Sequence, residues 1–125
     1  MKKENPTQFF SIPGQPLPKP RIVSGTKWWN KGHKRYWDYL NSASEIVWAE
    51  MKNQGWKTIE GDAGCDITFY RKGKRRADKD NLEKSIYEIL AKAKVVENDN
   101  QITEGCEKIF YNCDEPRVDI FIKES

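Results

Sequence analysis

A stretch of 125 residues is long enough for one hydrophobic core but not for two, so a single domain is expected over it. Charged residues make up 33% of it while the net charge is only +3, so total charge singles out no partner. No apolar run approaches the ~20 residues that span a bilayer, and three cysteines without a CxxC pair argue against a disulfide framework or a zinc site.

Residues 8–12 predict a first strand, with Phe9 and Phe10 supplying β-propensity and Pro13-Gly14 closing it. Pro16, Pro18 and Pro20 then forbid regular structure and favour a stiff, extended segment. Residues 21–34 predict a basic loop containing Trp28 and Trp29. Gly25 and Gly32 extend the expectation to a mobile segment over 19–35. His33, the only histidine, reads as a solvated loop residue without an orienting partner. From Tyr36 the apolar period is helical, through Leu40, Ala43, Val47 and Met51, and Gly55 ends the helix. Cys65, Ile67 and Phe69 alternate with Asp66, Thr68 and Tyr70, a half-buried strand that runs into a basic stretch.

Leu82, Ile86, Ile89, Leu90 and Ala93 form the apolar stripe of a second helix. Residues 103–112 and 117–123 predict two strands joined by a turn at Asp114-Glu115-Pro116. Alternation is poor in 103–112, which leaves its register open, whereas Val118, Ile120 and Ile122 face one way. The order β-α-β-α-β-β, without internal repeat or linker, predicts a single α+β domain over residues 1–125. Both helices are expected on one face of a small mixed sheet.

The distribution of charge says more than its total. Residues 1–60 carry ten Lys and Arg against five acids, and residues 61–125 carry twelve against fourteen. Six cations and no acid lie between Lys19 and Trp37, and five of the six residues from Arg71 to Arg76 are basic. Two basic segments in a nearly neutral chain suggest a basic face for nucleic acid, against the alternative of a solvated charged surface.

Inside this pattern, Asp78 and Asp80 follow the cations directly and precede the second helix. Carboxylate oxygens are hard ligands that suit Mg²⁺ or Mn²⁺, and side chains at i and i+2 of an extended segment point the same way. The competing reading makes Asp80 the N-cap of the helix, with Glu83 completing a capping box. Lys84, four residues after Asp80, emerges on the same side, either as an ion-pair partner or as an ammonium facing a phosphate. A second acidic and polar knot follows the helix at Glu97-Asn98-Asp99-Asn100-Gln101. Spacing alone does not bring it to Asp78.

The run Arg-Arg-x-Asp-x-Asp-Asn-Leu-x-Lys at 75–84, followed a helix length later by Asp99-Asn100-Gln101-Ile102, resembles the RusA family of Holliday-junction resolvases. The opening Ile12-Pro13-Gly14-Gln15-Pro16-Leu17-Pro18-Lys19-Pro20-Arg21 resembles that of phage-borne members, and Pro116-Arg117-Val118-Asp119-Ile120 fits the family's last strand. The odd, unpaired cysteines suggest a reducing cytoplasm, and the resemblance implies a homodimeric endodeoxyribonuclease for recombination and repair. It would need Mg²⁺, for which Mn²⁺ substitutes, and would cut four-way junctions by paired nicks leaving a 5′-phosphate and a 3′-hydroxyl. It implies no nucleotide cofactor and no membrane. Asp78, Asp80 and Asp99 correspond to the family's metal-holding catalytic carboxylates, and Lys84 to its essential lysine. Three departures stand out: Asn98 occupies a position where many members carry Asp, Lys94 one where a helix-ending Gly is usual, and Ala77 one where some members carry a further cation.

Lys19, Arg21, Lys27, Lys31, Lys34, Arg35, Lys74, Arg75 and Arg76 are the expected phosphate contacts, with Trp28 and Trp29 available to stack on unpaired bases. Two other functions fit the same features. One is a non-catalytic protein that binds branched DNA and keeps the fold. The other is an RNA-binding or host-interaction module whose acids only cap helices.

Overall fold

The computed structural model describes residues 6–20 and 31–125. In chain order they form β1 (Thr7–Pro13), α1 (Lys31–Gln54), β2 (Ala63–Tyr70), α2 (Lys79–Lys92), a 3-10 turn (Asp99–Gln101), β3 (Ile102–Phe110) and β4 (Arg117–Glu124). The four strands make one mixed sheet in the order β1-β4-β2-β3. β4 is antiparallel to both β1 and β2, whereas β3 runs parallel to β2. This is the expected α+β architecture, with the expected order of strands and helices.

Period-two burial explains the sheet. Gln8, Phe10 and Ile12 of β1, Cys65, Ile67 and Phe69 of β2, and Val118, Ile120 and Ile122 of β4 all turn inward. They meet the α1 stripe of Tyr36, Leu40, Ala43, Val47 and Met51 and the α2 stripe of Leu82, Ile86, Ile89 and Leu90 in one continuous core. Phe9, Phe110 and Phe121 remain exposed. Phe9 and Phe121 pair across β1 and β4 with ring centroids 4.8 Å apart.

α1 begins at Lys31, earlier than the apolar pattern indicated, because His33 extends the buried stripe one turn before Tyr36. His33 is 5% exposed and is therefore a core residue, not a solvated one. Lys34 and Arg35 lie on the exposed side of this first part of the helix, so that end of the expected loop is helical.

β3 and β4 do not pair, although a turn joins them in sequence; β2 lies between. A parallel β2–β3 pair requires a crossover connection, and α2 supplies it, leaving the other side of β2 to β4. β3 is thus one of the two edge strands, with β1 at the other side, and unlike β1 it buries none of its side chains. Without a buried face it needs no alternation. β3 also brings Gly105 against β2, where a Cβ would stand 2.0 Å from the Cys65 carbonyl oxygen. Only glycine fits there.

Candidate active site

The basic segment between β2 and α2 is held by its backbone. Arg71 N–H donates to the Phe110 carbonyl at 2.8 Å, Cys113 N–H donates to the Arg71 carbonyl at 2.9 Å, and Asn112 N–H donates to the Gly73 carbonyl at 2.9 Å. Gln15, from the Pro-rich segment, adds a strand-like pair of bonds: it accepts from Lys72 N–H at 2.8 Å and donates to the Lys72 carbonyl at 3.3 Å. Gly73 provides the positive φ of +83° that this turn needs. Lys74, Arg75 and Arg76 project from it into solvent. The Arg76 guanidinium lies 5.3 Å from the Tyr111 ring centroid, a cation–π contact.

The chain then enters α2 through Asp78, which has the extended backbone of an N-cap and accepts from Asn81 N–H at 3.2 Å. Asp78 caps the helix, and Asp80 does not. Asp80 instead sits within the first turn, where its charge complements the helix dipole. The extended geometry that would aim both carboxylates the same way is therefore broken at Lys79. Glu83 does not reach back to close a capping box. It lies instead beside Glu107 of β3, whose pKa is raised first by burial and then by the Glu83 charge.

One face of α2 carries Asn81, Lys84 and Glu88, spaced as neighbours along a helix. Together with Lys19, Pro20 and Asp99 they line an open cleft. The fold thus places Asp99 and Lys84 in the lining of one cleft, but it does not bring Asp99 to Asp78, the approach that spacing left open. Asp78 and Asp80 are exposed on the preceding turn and are not among the cleft-lining residues. Among the described residues, no three acids, cysteines or histidines stand close enough to hold a single ion, and no ion pair joins Asp80 to Lys84.

Two polar hubs shape the cleft. Glu88 accepts from the Tyr36 hydroxyl at 2.7 Å and pairs with the Lys19 ammonium, while Lys19 N–H donates to the Asn81 carbonyl at 2.9 Å. The Pro-rich segment is so fastened along α2. Burial, and then the bond to Glu88, push the Tyr36 pKa upward. The second hub is Gln101. Its side-chain oxygen accepts from Glu97 and Asn98 N–H at 2.8 and 2.9 Å, and its nitrogen donates to the Ile59 and Gly61 carbonyls, both at 2.8 Å. Asn98 is the cap of the 3-10 turn and accepts from Asn100 N–H at 3.0 Å. Asp99 is presented from this braced turn.

Of the expected phosphate contacts, Lys19 is engaged by Glu88, whereas Lys34, Arg35, Lys74, Arg75 and Arg76 are exposed. Arg21, Lys27, Trp28, Trp29 and the Lys31 side chain lie outside the described residues. Asn81, Glu88 and Gln101 escaped the sequence reading as cleft or bracing residues. A signal existed for Gln101, since Asn98 followed three residues later by Gln is a capping-box spacing.

No helix among the described residues is long and apolar enough to cross a membrane. A protein of Aquifex aeolicus (strain VF5) bearing the name crossover junction endodeoxyribonuclease RusA is 31% identical over 64 residues, which cover 51% of each chain. The present chain therefore spans about half the length of that curated relative. The family model described as Endodeoxyribonuclease RusA matches residues 13–123, nearly the whole chain. On that match, the chain belongs to the RusA endodeoxyribonuclease family.

Proposed function

We propose that this chain is a structure-specific endodeoxyribonuclease that resolves four-way DNA junctions with Mg²⁺, or Mn²⁺ in its place. The observation that carries the reading is the cleft lined by both Asp99 and Lys84, with Asp78 and Asp80 exposed at the start of the same helix, directly after the Arg71–Arg76 run in the chain. The donor set suits a hard cation. Mg²⁺ is commonly held by one or two carboxylates together with waters and substrate phosphates, without a closed protein cage. Asp78 and Asp80 at the start of α2 and Asp99 in the cleft do not converge on one point, so one or two of these carboxylates, with waters and substrate phosphates, would hold it. Bound there, the ion would polarise a phosphoryl oxygen and lower the pKa of an attacking water.

The side chains around it have separable tasks. Lys84 sets a positive charge beside the scissile phosphate, where charge develops in the transition state. Lys74, Arg75 and Arg76 neutralise neighbouring phosphates of the same strand. Glu88 keeps Lys19 and the Pro-rich segment alongside α2, which defines the far wall of the cleft. Two copies related by a two-fold axis would present two such sites to a junction of near two-fold symmetry.

A synthetic four-way junction incubated with the protein in Mg²⁺ or Mn²⁺ tests this. Symmetric paired nicks that disappear in Asp80→Asn, with binding retained, are the expected result; tight binding without nicks in either metal would sink it. The separation of Asp78 and Asp80 from the cleft lining favours one second reading, a non-catalytic protein for branched DNA, and that same negative result would establish it.

A further inference from the structure

Arg71, at the end of β2, is 8% exposed, and its Nε has no hydrogen-bond partner. Its Nη1 reaches only the Arg75 carbonyl at 3.5 Å, the outer limit of a hydrogen bond. Among the described residues no carboxylate forms an ion pair with this guanidinium. Tyr111 and the further cation Arg75 are the ionisable groups that act on it. A buried guanidinium stays charged, and leaving it unpaired costs stability. Its backbone is meanwhile clamped on both sides, to Phe110 and to Cys113. Lys74, Arg75 and Arg76 are by contrast exposed side chains that must be ordered on binding.

We propose that Arg71 is a preformed seat for one backbone phosphate of bound DNA, which supplies the anion that the fold withholds. The corner is continuous with the candidate active site: Tyr111 also takes the Ala77 N–H, at 3.4 Å, and Ala77 directly precedes the cap Asp78. A phosphate here would displace the long contact to the Arg75 carbonyl and could bind the planar guanidinium in two-point fashion. It would fix the register of the strand before it reaches Asp78 and Asp80. The DNA part of this proposal rests on the nuclease reading; the anion seat does not.

The test compares the wild-type chain with Arg71→Met and Arg71→Lys. Two quantities are read: the thermal midpoint with and without inorganic phosphate, and the salt dependence of binding to a four-way junction without divalent metal. Arg71→Met should melt at or above the wild-type temperature and lose the phosphate-induced rise. It should bind the junction roughly ten- to hundredfold more weakly, with a log–log salt slope shallower by about 0.9. Arg71→Lys, which keeps charge without the fork, should weaken binding several-fold at unchanged slope, and it decides the matter if Arg71→Met does not fold. Wild-type affinity and slope in the variants would overturn the DNA seat, as would a lower melting temperature with unchanged binding. Should the wild type itself ignore the junction, the nuclease reading fails. The phosphate-induced rise then judges the seat alone: dependence on Arg71 sustains it, and independence overturns it.

Discussion

Gln101 accepts the backbone N–H of Asn98 at 2.9 Å, and Asn98 in turn caps the turn that carries Asp99. The asparagine that replaces a common family aspartate therefore has a local structural task, because an amide oxygen caps as well as a carboxylate does. The Gln101 amide also donates to Ile59 and Gly61, so one side chain joins the turn to the segment that follows α1.

Gln101→Ala removes four hydrogen bonds from partly exposed partners, and the expected loss is about 1–3 kcal/mol of stability. Gln101→Glu keeps the acceptor toward Glu97 and Asn98 but turns an oxygen toward two carbonyls, so it should be the worse variant near neutral pH. Urea unfolding of both variants checks the order. Nicking should fall in both through the displaced Asp99. Asn98→Asp should unfold at the same urea concentration as the wild type.

Asp78 caps α2, and its proposed catalytic task can be separated from that role. Asp78→Asn retains a good cap and removes a metal-binding charge, so it should lose nicking without losing stability. Asp78→Ala should lose both, with a stability cost of about 1 kcal/mol. Asp80, which caps nothing, should lose nicking as Asn with junction binding intact and at most about 0.3–1 kcal/mol of stability, the favourable charge at the helix N-terminus. Equal unfolding midpoints for Asp78→Asn and Asp78→Ala would contradict the cap.

Lys94 takes a left-handed φ of +66°, the same position relative to α2 that Gly55, at +70°, takes after α1. The bonds match as well: Val95 N–H returns to the Leu90 carbonyl at 2.9 Å, as Trp56 N–H returns to Met51 at 3.0 Å. A side chain in this conformation costs about 1 kcal/mol relative to glycine. Lys94→Gly gives back part of that through the freer unfolded chain. The net expectation is a gain of roughly 0.5 kcal/mol, read as a higher unfolding midpoint.

Burial, and then the charge of Glu83, raise the Glu107 pKa, and that sets a sign for pH dependence. The folded protein binds this proton more tightly than the unfolded chain does. The pair is thus most favourable below the ordinary glutamate range, near 4.3, and that advantage is lost as pH rises through the folded value. Glu107→Gln should raise the unfolding midpoint near neutral pH and change it little in acid. Parallel wild-type and variant stability curves over that range would show that the two carboxyls do not interact.

Period and composition alone determined β1, β2, β4 and both helical stripes, since each buries a face whose spacing is written in consecutive residues. The carboxylates and the lysine were also legible as a motif. Contacts between distant residues lay outside that reach. That β2 separates β3 from β4, that Asp78 rather than Asp80 caps α2, and that His33 enters the core each depend on which groups meet in space. Asp99 and Lys84 share a cleft across the fold, and the turn that carries Asp99 is braced by Gln101 reaching carbonyls about forty residues earlier in the chain. Local pattern selects the elements, because their hydrogen bonds and faces are local; only the packed fold decides which polar groups find partners and which, like Arg71, are left without one.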